Sequence, residues 1–142
     1  MLKIETLFNR EGQPDTLYIN WLEYQPFMKL DMEENLFGII DQVRSMGIKN
    51  LIFDPSCRQT DPSDEHLIAF FELFLSGLAQ TNLEKFARVS ISDDEREARF
   101  RKYINDIKEN LKVRFELRHF ANPAEAHKWL GLEVCTSVHL GD

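Results

Sequence analysis

The feature that most constrains this sequence is a change of hydrophobic period that recurs along it. A short continuous apolar run, Asn50-Leu51-Ile52-Phe53-Asp54, has helix-period segments on either side. Upstream, Leu36, Phe37, Ile39, Ile40, Val43 and Met46 fall within about half a turn of arc on a helical wheel. Downstream, Leu67, Ile68, Phe70, Phe71, Phe74, Leu75 and Leu78 cover a broad arc, leaving a polar stripe of Glu65, Glu72, Ser76 and Gln80. A wholly apolar strand between two amphipathic helices needs cover on both faces, the condition of a parallel strand in an α/β sheet.

The rest of the chain extends the same alternation. Residues 2–8 begin by alternating apolar and polar side chains and predict a strand. Glu11-Gly12-Gln13-Pro14-Asp15 has turn composition, and Thr16–Leu22 predicts a second strand, antiparallel to the first across so short a connection. Asp31, Glu33 and Glu34 favour the start of the first helix and Gly47 its end. Asp61 suits an N-cap for the second helix, with Pro62 at its first position. Phe86–Ile91 predicts the fourth strand. Asp93-Asp94-Glu95 opens a third helix whose buried stripe is Phe100, Tyr103, Ile104, Ile107 and Leu111. Val113–Arg118 alternates strictly and predicts a fifth strand near a sheet edge. Asn122-Pro123-Ala124-Glu125 starts a short last helix, ended by Gly131. The expected order is β-β-α-β-α-β-α-β-α: one α/β domain with a mixed sheet of about five strands, a leading antiparallel hairpin, later parallel strands and about four helices.

Composition narrows what such a domain does. With 142 residues, 43% of them hydrophobic, the chain is long enough to build a core without metals or disulfides. A net charge of −7 argues against nucleic acid, whose backbone calls for a basic footprint. Charge is nevertheless uneven, at −9 over residues 1–95 and +4 over 96–128. Glu95/Arg99, Glu97/Arg101 and Lys102/Asp106 stand four apart, so the later segment reads first as solvated helical ion pairs. No apolar run approaches the ~18 residues of a membrane span. The start, Met1-Leu2-Lys3-Ile4-Glu5, lacks the apolar core of a signal peptide. Two cysteines, Cys57 and Cys135, stand far apart in no metal-like spacing and read as reduced thiols. A cytoplasmic protein with no integral membrane segment is the expectation.

Leu51-Ile52-Phe53-Asp54, Phe86-Ala87-Arg88-Val89-Ser90-Ile91-Ser92, and Arg118-His119-Phe120 followed by Glu125-Ala126 and Trp129-Leu130 carry a resemblance. In this order, behind a leading hairpin, they resemble the SpoIIAA-like branch of the STAS/CRAL-TRIO-related proteins. The resemblance covers roughly Leu2 to Gly131 and implies a domain over 1–131 with a tail over 132–142. It also implies a binding or regulatory module rather than an enzyme. In antagonists of anti-sigma factors, a serine opening the helix after the third strand is phosphorylated, and Ser63 falls at that place. Here Pro62 stands where those proteins carry a serine and Asp64 where they carry glycine. Asp61, Asp64 and Glu65 would repel a phosphate. An ordinary first-turn serine is therefore the leading reading of Ser63, and a phosphorylation switch the alternative.

Motifs for chemistry are sparse. The sequence has no glycine-rich phosphate loop and no His-Glu-x-x-His, so neither a cofactor nor a metal is expected. His66, His119, His127 and His139 are scattered, although His119 and His127 could meet through the turn into the last helix. Asp54 and Asp93 are both expected at carboxyl ends of parallel strands, where open α/β sheets bind ligands. Each also has a plain reading, as a loop starter and a helix cap. The expected binding surface is the loop after the third strand with the second helix: Asp54, Ser56, Arg58, Thr60, Ser63, Phe70, Leu73 and Phe74. Its occupant is a protein partner or a small apolar, lipid-like ligand. Leu73 lies outside the apolar arc of its helix, and with the alternating edge strand it suggests a homodimer.

Overall fold

The structure, a computed structural model, describes residues 2–8, 11–21, 29–54, 64–90 and 94–131. Among these the order is β1 (Leu2–Phe8), β2 (Pro14–Trp21), α1 (Lys29–Met46), β3 (Asn50–Asp54), α2 (Asp64–Leu78), β4 (Lys85–Val89), α3 (Asp94–Leu111), β5 (Glu116–Phe120) and α4 (Pro123–Trp129). The five strands form one sheet in the spatial order β1-β2-β3-β4-β5. β1 and β2 are antiparallel, and β2 through β5 are parallel neighbours. The expected β-β-α-β-α-β-α-β-α order and mixed sheet are therefore what the chain forms.

Chain order and spatial order coincide, and this fixes the layers. A crossover between parallel strands is right-handed, so helices joining strands that advance in one direction all land on one face. The core shows this. Leu17 and Ile19 of β2, Leu51 and Phe53 of β3, Phe86 of β4 and Leu117 of β5 share one cluster with α1, α2 and α3. Alternate residues turn to the other face, where Ile52, Ala87 and Val89 meet Ala126 of α4, with Phe120, Trp129 and Leu130 around them. Among the described residues, three helices thus cover one face, and one short helix covers part of the other.

The centre of the large core is aromatic. Phe53 meets Phe70, Phe71 and Phe74 at ring-centroid distances of 5.9, 5.4 and 6.1 Å. Phe74 continues to Phe86 at 5.7 Å, and Phe86 stacks on Phe115 at 6.1 Å. Most of these contacts are edge-on or tilted, as the quadrupoles of the rings prefer. Helix ends follow their sequence signals. Gly47, at φ +66°, turns the chain out of α1 while the Ile48 N–H donates to the Val43 carbonyl at 3.1 Å. Asn122 caps α4 by accepting from the Glu125 N–H at 3.0 Å, with Pro123 in the first turn.

Several boundaries and faces differ from expectation. The fifth strand is Glu116–Phe120 rather than Val113–Arg118. Ladder pairing needs a partner, and β4 begins only at Lys85, which stands beside Glu116. The chain first leaves α3 through Lys112 at φ 53°. The fourth strand is Lys85–Val89, and Ile91 lies outside the described residues. In α1, Phe37 and Met46 stay 50% and 38% exposed, because this helix sits at the end of its layer and buries only the arc of Leu36, Ile39, Ile40 and Val43. Leu111, the last residue of α3, is 39% exposed for a similar reason. Asp61, Asp93 and the tail over 132–142 lie outside the described residues. No helix among the described residues is long and apolar enough to cross a membrane.

Candidate functional site

Two polar clusters lie toward the carboxyl ends of the parallel strands, one on each face of the sheet. The first is on the α4 face. Asp54 ends β3 and is buried, and the Tyr18 hydroxyl on the neighbouring strand donates to its Oδ2. One step toward the end of β2, Asn20 stands beside Asp54 in register. Its side-chain Oδ1 is buried and finds no partner among the described residues. From α4, the His127 ring packs against Tyr18 with centroids 5.8 Å apart. The His127 Nδ1 lies 2.8 Å from the Pro123 carbonyl, an acceptor, so Nδ1 is the donor in that contact. A polar rung further down the same face, with the Asn50 Nδ2 donating to Thr16 Oγ1 at 3.2 Å, aligns β2 with β3 below the cluster.

The second cluster is on the three-helix face. Arg88, in β4 and only 2% exposed, donates through both terminal nitrogens to Glu97 of α3, at 2.7 and 2.8 Å. Arg101, one turn along α3, donates from Nε to the same carboxylate at 2.6 Å and from a terminal nitrogen to Ser90 Oγ at 2.9 Å. The Arg88 Nε is buried without a partner among the described residues. His119 of β5, beside Arg88 in register, has its Nδ1 3.2 Å from an Arg88 nitrogen that has only protons to give. Nδ1 is therefore the acceptor and Nε2 carries the proton toward Asn105 Oδ1, 3.4 Å away. Burial first, then the Arg88 and Arg101 charges, push His119 down from 6.5 to about 4, with Glu97 opposing. At neutral pH this imidazole is neutral.

The residues expected to form a site are only partly brought together. Asp54 sits at the predicted strand end, whereas Ser56, Arg58, Thr60 and Ser63 lie outside the described residues. Phe74 is wholly interior and Phe70 is half-buried against it at 5.5 Å. Leu73 is 41% exposed and borders a surface groove of about 490 Å³ between α2 and α3, with Ala69, Ile107 and Leu111 among its lining. His119 and His127 are not neighbours, because the sheet lies between them. Among the described residues no group of three His, Cys, Asp or Glu side chains could hold a metal ion.

Topology alone does not mark a ligand site. Open α/β sheets bind in the crevice where strand order reverses, and here the order never reverses. Arg88 is not among the expected site residues, although an arginine inside the largely apolar stretch Phe86–Ile91 is a usable signal. A charge in a buried strand needs a partner, and Glu97 supplies it. Tyr18 and Asn20 gave no such warning, because polar residues alternate along β2 as on any half-wet strand. Comparison with protein-family models, with curated proteins and with solved structures finds no match for the chain.

Proposed function

We propose that this protein is a non-enzymatic, cytoplasmic binding or regulatory module of the SpoIIAA-like, STAS-related kind. It acts from the carboxyl edge of its parallel strands, with the segment after β3 and the outer face of α2 as the recognition surface. The order of strands and helices supports the kinship. The observation that carries the functional reading is Asp54. A buried carboxyl group held by the Tyr18 hydroxyl, at the last position of the central strand, anchors the chain where the segment 55–63 departs. Such an anchor gives a loop a fixed root, which a recognition element requires.

Interlocked phenylalanines between β3 and α2 favour recognition at the surface over an enclosed apolar ligand, since Phe53, Phe70, Phe71, Phe74 and Phe86 pack ring on ring. Exposed Leu73 gives a partner protein, or a second copy, an apolar contact beside that surface. Phosphorylation of Ser63 would be the switch.

Native mass spectrometry on protein recovered gently from cells tests this reading, with wild type set against Leu73→Glu and Ser63→Asp. The expected result is a retained protein or small-molecule mass on the wild type that Leu73→Glu loses and Ser63→Asp alters. Bare monomeric polypeptide in every sample overturns the module. A retained mass unaffected by Ser63→Asp overturns the switch alone.

A further inference from the structure

We propose that β1 is the contact surface for a second copy of this chain: two β1 strands pair antiparallel about a two-fold axis at Ile4, joining the two sheets into one. The inference does not depend on the recognition surface after β3, and it names both a partner and a register.

Among the described residues β1 has one neighbour, β2, so its other side carries a row of backbone N–H and C=O groups with no strand beside it. That side is open, since Glu5 and Phe8 are exposed and Ile4, in the middle of the strand, is 36% exposed. Ile4 stands opposite Ile19, a residue of the large core, and so lies on the three-helix face. Glu5 stands opposite Tyr18, on the α4 face. The middle of a free edge thus offers an apolar residue on one face and a charged one on the other.

Charge selects the register. A two-fold pairing that keeps like faces together sets even residues opposite even ones and odd opposite odd. Centred on Lys3 it sets two lysines against each other, and centred on Glu5 two glutamates. Like charges directly opposite are destabilising. A centre on Thr6 sets Glu5 against Leu7, and one on Leu2 engages only the start of the strand. Centred on Ile4, Lys3 of each copy falls opposite Glu5 of the other, Leu2 falls opposite Thr6, and Ile4 meets its own mate. Symmetry makes each unlike-charge pair occur twice. β5, the opposite edge, offers less: Leu117 is buried, and Arg118 already lies 3.7 Å from Glu116 and 5.1 Å above the Trp129 ring.

Sedimentation equilibrium on the full-length protein tests the contact. The wild type should form a saturable dimer and nothing larger. Lys3→Glu and Glu5→Lys each set like charges opposite at both pairs, and each should weaken the dimer about tenfold or more. An equimolar mixture of the two variants brings unlike charges back together and should recover the wild-type affinity to within about threefold, as a heterodimer. That recovery also shows that both variants are folded. Leu73→Glu should leave the dimer intact. The proposal is overturned by a wild type that stays monomeric up to its solubility, by a dimer indifferent to either single substitution, by a mixture no tighter than its components, or by loss of the dimer in Leu73→Glu. A partner lost from Leu73→Glu but kept by Lys3→Glu leaves the module standing whatever becomes of the β1 contact.

Discussion

Arg88 shows what a single misfit residue demands of its neighbours. A guanidinium 2% exposed in a central strand is tolerable only when its charge is met, and Glu97 meets it with two parallel hydrogen bonds. Removing one partner strands the other. Glu97→Ala should therefore cost about 3–5 kcal/mol in urea denaturation. The paired replacement Arg88→Met with Glu97→Leu should return most of that loss, since Arg101 is partly exposed and solvent can hydrate it. A small cost for Glu97→Ala alone would mean that water already screens the pair. His119 gives the same cluster a dependence on pH. Its folded value of about 4 lies below the ordinary 6.5, so unfolding takes up a proton between the two. The contribution is complete above about pH 6.5, falls as the pH drops toward 4, and is gone below that. Carboxylates titrate in the same window, so the measurement is a difference. Wild type should lose more stability than His119→Asn between pH 7 and pH 4, and parallel curves would refute the assignment. The sequence holds two hints of this cluster, a charge in an apolar run and the four-residue spacing of Glu97 and Arg101, although that pair reads there as solvated and Glu97 is buried. Nothing in the one-dimensional pattern showed that His119 would lie beside it, because strand register is a tertiary fact.

Elements were legible where one period ran long enough to be unmistakable. β3 and α2 lie close to where their patterns put them, since a continuous apolar run and a broad apolar arc each admit one burial solution. Ends were less legible. β5 starts later than its alternation, because alternation records which side chains are buried and not which backbone groups are paired; Phe115 and Leu117 point the same way although only Leu117 is in the ladder. The packing of α1 on α2 was not legible at all. Gly77 lets α2 approach so closely that a Cβ there would overlap Ile40 Cδ1 and come within 3.2 Å of its Cγ1. Alanine ordinarily favours a helix by up to ~1 kcal/mol over glycine. Here overpacking should win, and Gly77→Ala should lower stability by about 1–2 kcal/mol. Shortening the opposing side chain should reverse the effect, so that Gly77→Ala with Ile40→Val melts above Gly77→Ala alone. If the single variant is more stable than wild type, the helices are free to move apart.

At the scale of the whole molecule, the layer count followed from chain order, but the unequal cover of the two faces did not. Strand order had to be seen before the right-handed crossover rule could place α1, α2 and α3 together. That placement sends the α4 side a far smaller share of the apolar interior and leaves polar side chains such as Asn20 and Asp54 on it. Among the described residues, a sheet laid down in a single direction also has two unlike rims. One is β1, running against its neighbour, and the other is β5, running with it and bearing exposed Glu116 and Arg118. Joining like rims closes after two molecules, whereas joining unlike rims repeats the same step without end. Exposed charges on an edge strand discourage its pairing with another chain, so neutralising Glu116 and Arg118 should promote association through β5.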